Sequence, residues 1–107
     1  MQGYVARVDG KKLGYRIEFF VEVSLHRQSE EALGDFEEAV KQIPEILECH
    51  LMTGQADFLL RVAAADTEGY ERFHRNRIAQ LPGVSRIETN LVLRTVSRRN
   101  GYPVDAT

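Results

Sequence analysis

Two short segments of this chain echo one another. Ile43-Pro44-Glu45-Ile46 and Leu81-Pro82-Gly83-Val84 each place a proline between apolar residues, after a helix-patterned stretch and before a strand-patterned one. Proline disfavours α geometry in the residue that precedes it, so each segment ends a helix and opens a strand. The forced order is strand-helix-strand, turn, strand-helix-strand. Two such halves close into the ferredoxin-like β-α-β-β-α-β arrangement of the α+β class, with two helices on one face of a four-stranded antiparallel sheet.

The individual elements follow from periodicity. In Ile17–Leu25, Ile17, Phe19, Val21, Val23 and Leu25 alternate with Glu18, Phe20, Glu22 and Ser24, a strand pattern. Residues 29–43 form an amphipathic helix capped by Ser29, with Glu30 and Glu31 in its first turn and Leu33, Phe36, Val40 and Ile43 as its core stripe. A central hairpin spans 46–64, broken by a tight turn at Gly54, where glycine allows positive φ. In its first strand Leu47, Cys49 and Leu51 share a face, and in its second Phe58, Leu60 and Val62 do. A second helix is expected over 67–81, capped by Asp66 or Thr67, with Tyr70, Phe73, Ile78 and Leu81 inward. A long last strand is expected over 84–96. The domain thus occupies 17–98, between an arm at 1–16 that contains a short strand, Gly3–Asp9, and a polar tail at 99–107.

Composition narrows the function classes. At 107 residues, with 43% hydrophobic and 28% charged content, the chain is one globular domain. A formal net charge of −2 is wrong for a module that grips nucleic acid by basic excess. The single cysteine, Cys49, excludes an internal disulfide and reads as a small hydrophobe on a strand. No signal peptide and no membrane-length apolar run is apparent, so a cytoplasmic location is expected. His26, His50 and His74 show no metal-ligand spacing, and neither a nucleophile elbow nor a phosphate loop is present. No catalytic residue, metal site or cofactor is assigned.

With helices over one face, the other sheet face carries Phe20, Met52, Leu59, Val92 and Val96 among Glu22, His50, Arg61 and Arg94. This mixture suits a face covered by a second copy, a homodimer joined sheet to sheet through Phe20, Met52, Leu59 and Val92. Scattered surface apolar residues are the plainer alternative. The turn itself holds Thr53, Gly54, Gln55, Ala56 and Asp57, with Thr89 as a second nearby hydroxyl. A carboxylate beside free backbone N–H groups can hold the ammonium and carboxylate of a zwitterion. An aspartate that merely closes a local hydrogen bond is the commoner role in such turns.

Glu48-Cys49-His50-Leu51-Met52-Thr53-Gly54-Gln55-Ala56-Asp57-Phe58-Leu59-Leu60 resembles the E-C-H-x-(V/M)-(S/T)-G-x-x-D-(Y/F)-L-L signature of the leucine-responsive/asparagine-regulator (Lrp/AsnC) family. Gly3-Tyr4 with Leu13-Gly14, and Leu81-Pro82-Gly83-Val84 with Ile87-Glu88-Thr89, extend the resemblance over residues 3–96. It implies an effector-binding and oligomerisation domain whose subunits pair through their sheets and whose dimers assemble into octamers. It also implies a small amino acid bound between dimers, against Thr53, Gly54, Gln55, Ala56, Asp57 and Thr89. Ile87 stands where many members have a hydroxyl residue, and Gln55-Ala56 replaces an acidic-aromatic pair, which favours an apolar amino acid. The family's DNA-binding helix-turn-helix has no counterpart in residues 1–16, so DNA would be contacted only through a head absent from this sequence. The alternatives are a small dimeric α+β enzyme with a cleft between helices and sheet, and an oligomerisation module without a ligand.

Overall fold

The computed structural model describes residues 17–99. The expected arm strand Gly3–Asp9 and the tail beyond residue 99 lie outside the described residues. Strand β1 (Ile17–Leu25) leads into helix α1 (Glu30–Lys41), strands β2 (Ile46–Leu51) and β3 (Phe58–Ala64), helix α2 (Thr67–Asn76), a 3-10 turn (Ile78–Gln80) and strand β4 (Val84–Leu91). The sheet order is β2-β3-β1-β4, with every pairing antiparallel. This is the ferredoxin-like fold expected from the repeated proline segments.

Local chemistry explains the element ends. Ser29 is extended (φ −68°, ψ 158°) and its hydroxyl accepts the Ala32 N–H, while Asp66 accepts the Gly69 N–H at 2.6 Å. Both satisfy donors that a helix start leaves unpaired. The inward residues of β1 and β3 meet the helices in one core. Phe19, Val21 and Val23 lie against Phe58, Leu60 and Val62, and Phe36, Val40, Tyr70 and Ile78 close over them. Phe36 stacks on Phe58 with ring centroids 4.5 Å apart, and Phe19 on Tyr70 at 3.9 Å.

Four details differ from the expectation. The second helix stops at Asn76, because Arg77 leaves α geometry (φ −123°, ψ −56°) before the 3-10 turn. Ile78 lies five residues beyond Phe73, which in a straight helix would rotate it about 140° away. The break at Arg77 lets Ile78 be fully buried. In β2, Ile46 pairs with Val62 but Glu48 pairs with Arg61, so Leu47 is an extra residue in a bulge and is exposed rather than core-facing. The hairpin connection runs from Met52 to Asp57 and is a wider loop than a tight turn. Strand β4 ends at Leu91 instead of Val96, since its last ladder partner is Phe19 and the Val92 N–H closes on the Glu18 carbonyl. Leu93 and Val96 then stand 89% and 85% exposed.

The sheet face away from the helices is laid out by register. Phe20 lies between Arg61 of β3 and Asn90 of β4, and Glu22 between Leu59 and Glu88. At one end of this face Arg61 donates to Glu18 (2.8 and 3.1 Å) and to Glu48 (2.9 Å). The hydrogen bond from Arg61 holds the Glu18 carboxyl below the usual carboxylate range, against the opposing effect of partial burial. Hydrogen bonds from His50 and Arg61 do the same for Glu48.

Two outcomes are expected. Phe36→Ala, at a fully buried site, should cost about 3–5 kcal/mol in denaturant unfolding. The depressed folded-state pKa of Glu18 means that its stabilisation is complete above the unfolded value and is lost as pH falls through the folded one. Melting temperature should therefore drop on acidification below about pH 4.3. Arg61→Met should flatten that drop while lowering stability at neutral pH by about 1 kcal/mol, as a pair of pH-series thermal melts would read.

Candidate functional site

The loop joining β2 to β3 is held by its own ends and by β1. The Met52 N–H donates to the Asp57 carbonyl at 2.9 Å, closing the loop, and the Asp57 N–H donates to the Val23 carbonyl at 2.9 Å. Gly54 sits at φ +114°, a region that L side chains avoid, so this position needs glycine for its backbone alone. The Ser24 hydroxyl donates to the Gln55 carbonyl at 3.4 Å. The loop is thus fastened over the carboxyl end of β1.

Asp57 turns out to be the main fastener. Its Oδ2 accepts the Leu25 N–H at 2.8 Å and the Gln28 side-chain amide at 3.2 Å. Gln28 in turn donates to the Leu25 carbonyl at 2.9 Å. The carboxylate therefore joins the hairpin loop to the connection between β1 and α1. This is the local hydrogen-bonding role weighed against ammonium binding, although it spans 32 residues of sequence rather than one turn.

Two concavities flank the loop on the helix-free side. One, of about 40 Å³, is lined by Glu22, Ser24, Gln55, Ala56, Arg86 and Glu88. The other, of about 290 Å³, is lined by Met52, Thr53, Phe58 and Leu59, and shares Glu22, Gln55 and Ala56 with the first. The first presents charges of both signs, and the second has an apolar wall. The size of the second matches the lower end of small-molecule pockets.

Of the residues singled out in the sequence, Thr53, Gln55 and Ala56 line these concavities. Gly54 shapes the loop and Asp57 anchors it. Thr89 is elsewhere: it pairs with Val21 on the helix-facing side of the sheet, and its hydroxyl bonds the Tyr70 hydroxyl at 2.7 Å. The expected interface residues Phe20 and Met52 are exposed, and Leu59 and Val92 are partly so. Sequence reasoning did not select Glu22, Ser24, Arg86 or Glu88 for the site. The alternation of β1 puts Glu22 and Ser24 on the right face, but only the β1–β4 register brings Arg86 and Glu88 beside them.

Other candidate chemistry stays dispersed. His50 bonds Glu48 at 3.1 Å on the open face, and neither it nor Asp57 lines the two concavities. Among the described residues the core-facing strand positions between helices and sheet are apolar, Thr89 excepted. Among the described residues no group of His, Cys, Asp and Glu is arranged to hold a metal ion, and no helix is long and apolar enough to cross a membrane. Burial pushes the Cys49 thiol up to about 11, which keeps it protonated and a poor nucleophile at neutral pH.

Comparison with known proteins places this geometry. Residues 18–102 match the family described as the Lrp/AsnC ligand binding domain. The Bkd operon transcriptional regulator of Pseudomonas aeruginosa is 38% identical over 104 residues, covering 97% of this chain and 68% of that protein. The crystal structure of an AsnC family transcriptional regulator from Agrobacterium tumefaciens superposes with a TM-score of 0.81 at 28% identity, covering 94% of this chain and 65% of that one. A transcriptional regulator of Neisseria meningitidis, solved as its complex with L-Met, superposes with a TM-score of 0.82 at 25% identity, covering 98% and 68%. The chain thus spans about two thirds of the length of these relatives, which are regulators and not enzymes. With the family match covering most of its length and the fold in agreement, the chain belongs to the Lrp/AsnC ligand-binding domain family.

Proposed function

We propose that this chain is the effector-sensing and oligomerisation domain of an Lrp/AsnC-type transcription regulator. A small amino acid binds between dimers, against the loop of Thr53, Gly54, Gln55, Ala56 and Asp57, with Thr89 contributing from the helix side of β4. The observation that carries this reading is the Met52–Asp57 loop. It bears the family signature, and it is fastened at both ends, by Met52 to Asp57 and by Asp57 to β1. The L-Met complex of the Neisseria relative supports an amino acid as the ligand class. The protein works in the cytoplasm, and DNA is contacted by a helix-turn-helix outside this sequence.

Mechanistically, the amino acid has unequal affinity for two assemblies and shifts their populations, which repositions the DNA-binding heads. Equal affinity would shift nothing, and a hundredfold preference would move the balance by about 2.7 kcal/mol. Dimers form sheet to sheet over Phe20, Met52, Leu59 and Val92, and the assembly extends to an octamer. The exposure of Phe20 and Met52 on the helix-free face supports this arrangement.

Native mass spectrometry with and without a panel of amino acids tests the reading. The expected result is an even-numbered assembly that takes up an amino acid or changes its subunit count. A monomer indifferent to every amino acid would remove the mechanism. Phe20→Glu should weaken self-association by at least about tenfold, because dimer formation would then bury an unpaired charge. Asp57→Ala should abolish the amino-acid response and lower stability by about 1–2 kcal/mol, since the Leu25 N–H loses its acceptor. Subunit pairing should persist, so a titration by calorimetry and a sedimentation run on the same variant separate the two effects.

A further inference from the structure

The helix-free face is charged unequally along β1. Toward Ser24, Glu22 faces Glu88 across the β1–β4 ladder, and Arg86, 4.0 Å from Glu88, is the one guanidinium beside these two carboxylates. Like charges directly opposite one another destabilise a sheet. Toward Ile17 the balance reverses, and Arg61, Arg94 and Arg98 outnumber Glu18 and Glu48. Arg94 belongs to this face by register. Glu88 and Asn90 lie opposite Glu22 and Phe20, the Val92 N–H carries the pairing on to the Glu18 carbonyl, and Arg94 is the next residue in that alternation. Arg98 returns to Glu18 at 3.9 Å, which keeps the segment after β4 beside the face. Among the described residues neither Glu22 nor Arg94 enters an ion pair.

A second copy can lie on this face about a two-fold axis in either of two directions. With the axis along the strands, each end meets its like, and the Glu22 and Glu88 carboxylates of both copies converge. Such like-charge juxtaposition is strongly unfavourable. With the axis across the strands, the sheets cross antiparallel and each end meets its opposite, an advantage gained twice because the contact is isologous. We propose that the sheets pair in this second way, with Arg94 of each copy seated between Glu22 and Glu88 of the other. This deepens the sheet-to-sheet reading and rests on it. The spacing closes on itself: midway between Glu88 and Arg94 on the chain is Leu91, the end of β4 and one position from the Asn90–Phe20 pair. The two Phe20 rings therefore meet near the axis, and the two charge clusters stand about 20 Å apart. An arginine side chain is long enough to bridge most of the about 10 Å between packed sheets. The concavity of about 40 Å³ bounded by Glu22, Arg86 and Glu88 is on this account the seat of the second copy's guanidinium, which balances the carboxylates there.

Charge exchange on the full chain, read as the dimer dissociation constant by sedimentation, tests the assignment. Arg94→Glu and Glu88→Arg should each weaken pairing by at least about tenfold, since each sets like charges against one another at both ends of the dimer. The double variant carrying Arg94→Glu and Glu88→Arg should return to within about threefold of the wild type, because the ion pairs re-form with their signs exchanged. All three substituted chains should keep the wild-type circular dichroism spectrum, as both residues are exposed, so a weakened dimer cannot be assigned to unfolding. Single variants that pair as tightly as the wild type would overturn the antiparallel crossing and leave the sheet-to-sheet dimer standing, for in the other direction each residue meets its own kind. Weakened single variants without recovery in the double variant would overturn the pairing of these two residues. A monomeric wild type would overturn the sheet-to-sheet dimer together with the assignment.

Discussion

Strand β1 is the constraint from which the rest of the domain is measured. It is hydrogen-bonded on both edges, to β3 and to β4, and its Val21 and Val23 are fully buried. A strand so placed cannot slip by one residue without sending Phe19, Val21 and Val23 to the helix-free face and Glu18, Phe20 and Glu22 into the core. The cost of burying two carboxylates fixes the register. With β1 fixed, the end of the strand at Leu25 becomes the mooring for the hairpin loop through Asp57.

The helix-free face has a division of labour along β1. Near Ile17 the charges are satisfied within the chain, with Arg61 shared between Glu18 and Glu48. Near Ser24 the pairing is looser, with Arg86 and Glu88 4.0 Å apart and Glu22 opposite Glu88 in the ladder, and there the surface is concave. Phe20 lies between these two ends. A face that is self-sufficient at one end and unfinished at the other has a built-in polarity. The unfinished end is the one that carries the family's signature loop.

Much of this was legible in the sequence, where periodicity and caps dominate. The β1 alternation, the Ser29 and Asp66 caps and the two proline segments located the four strands and both helices, and of the core residues named in β1 and the helices most are buried, with Ile17, Leu33 and Phe73 partly so. The departures in the strands share one cause: they depend on pairing between distant segments. The Leu47 bulge is invisible in a stretch that reads as clean alternation, because it exists only relative to Val62 and Arg61. The end of β4 is set by where β1 supplies its last partner and not by the apolar residues that follow. The helix break at Arg77 is the exception in kind, since the five-residue gap from Phe73 to Ile78 was present in the sequence. In the site, the loop residues were readable as a motif, but their neighbours Glu22, Arg86 and Glu88 come from two other strands. Thr89 was grouped with the loop by proximity of type, while the register places it on the opposite face beside Tyr70.

The two edge strands are each interrupted, β2 at Leu47 and β4 at Ser85, where the chain carries one residue more than its partner. A bulge twists the edge and breaks the even spacing of its unpaired backbone groups. Neither border of the sheet is therefore a straight template on which another strand could extend the ladder. The broadside pairing proposed above leaves both interrupted borders free, and it needs no strand added to either of them.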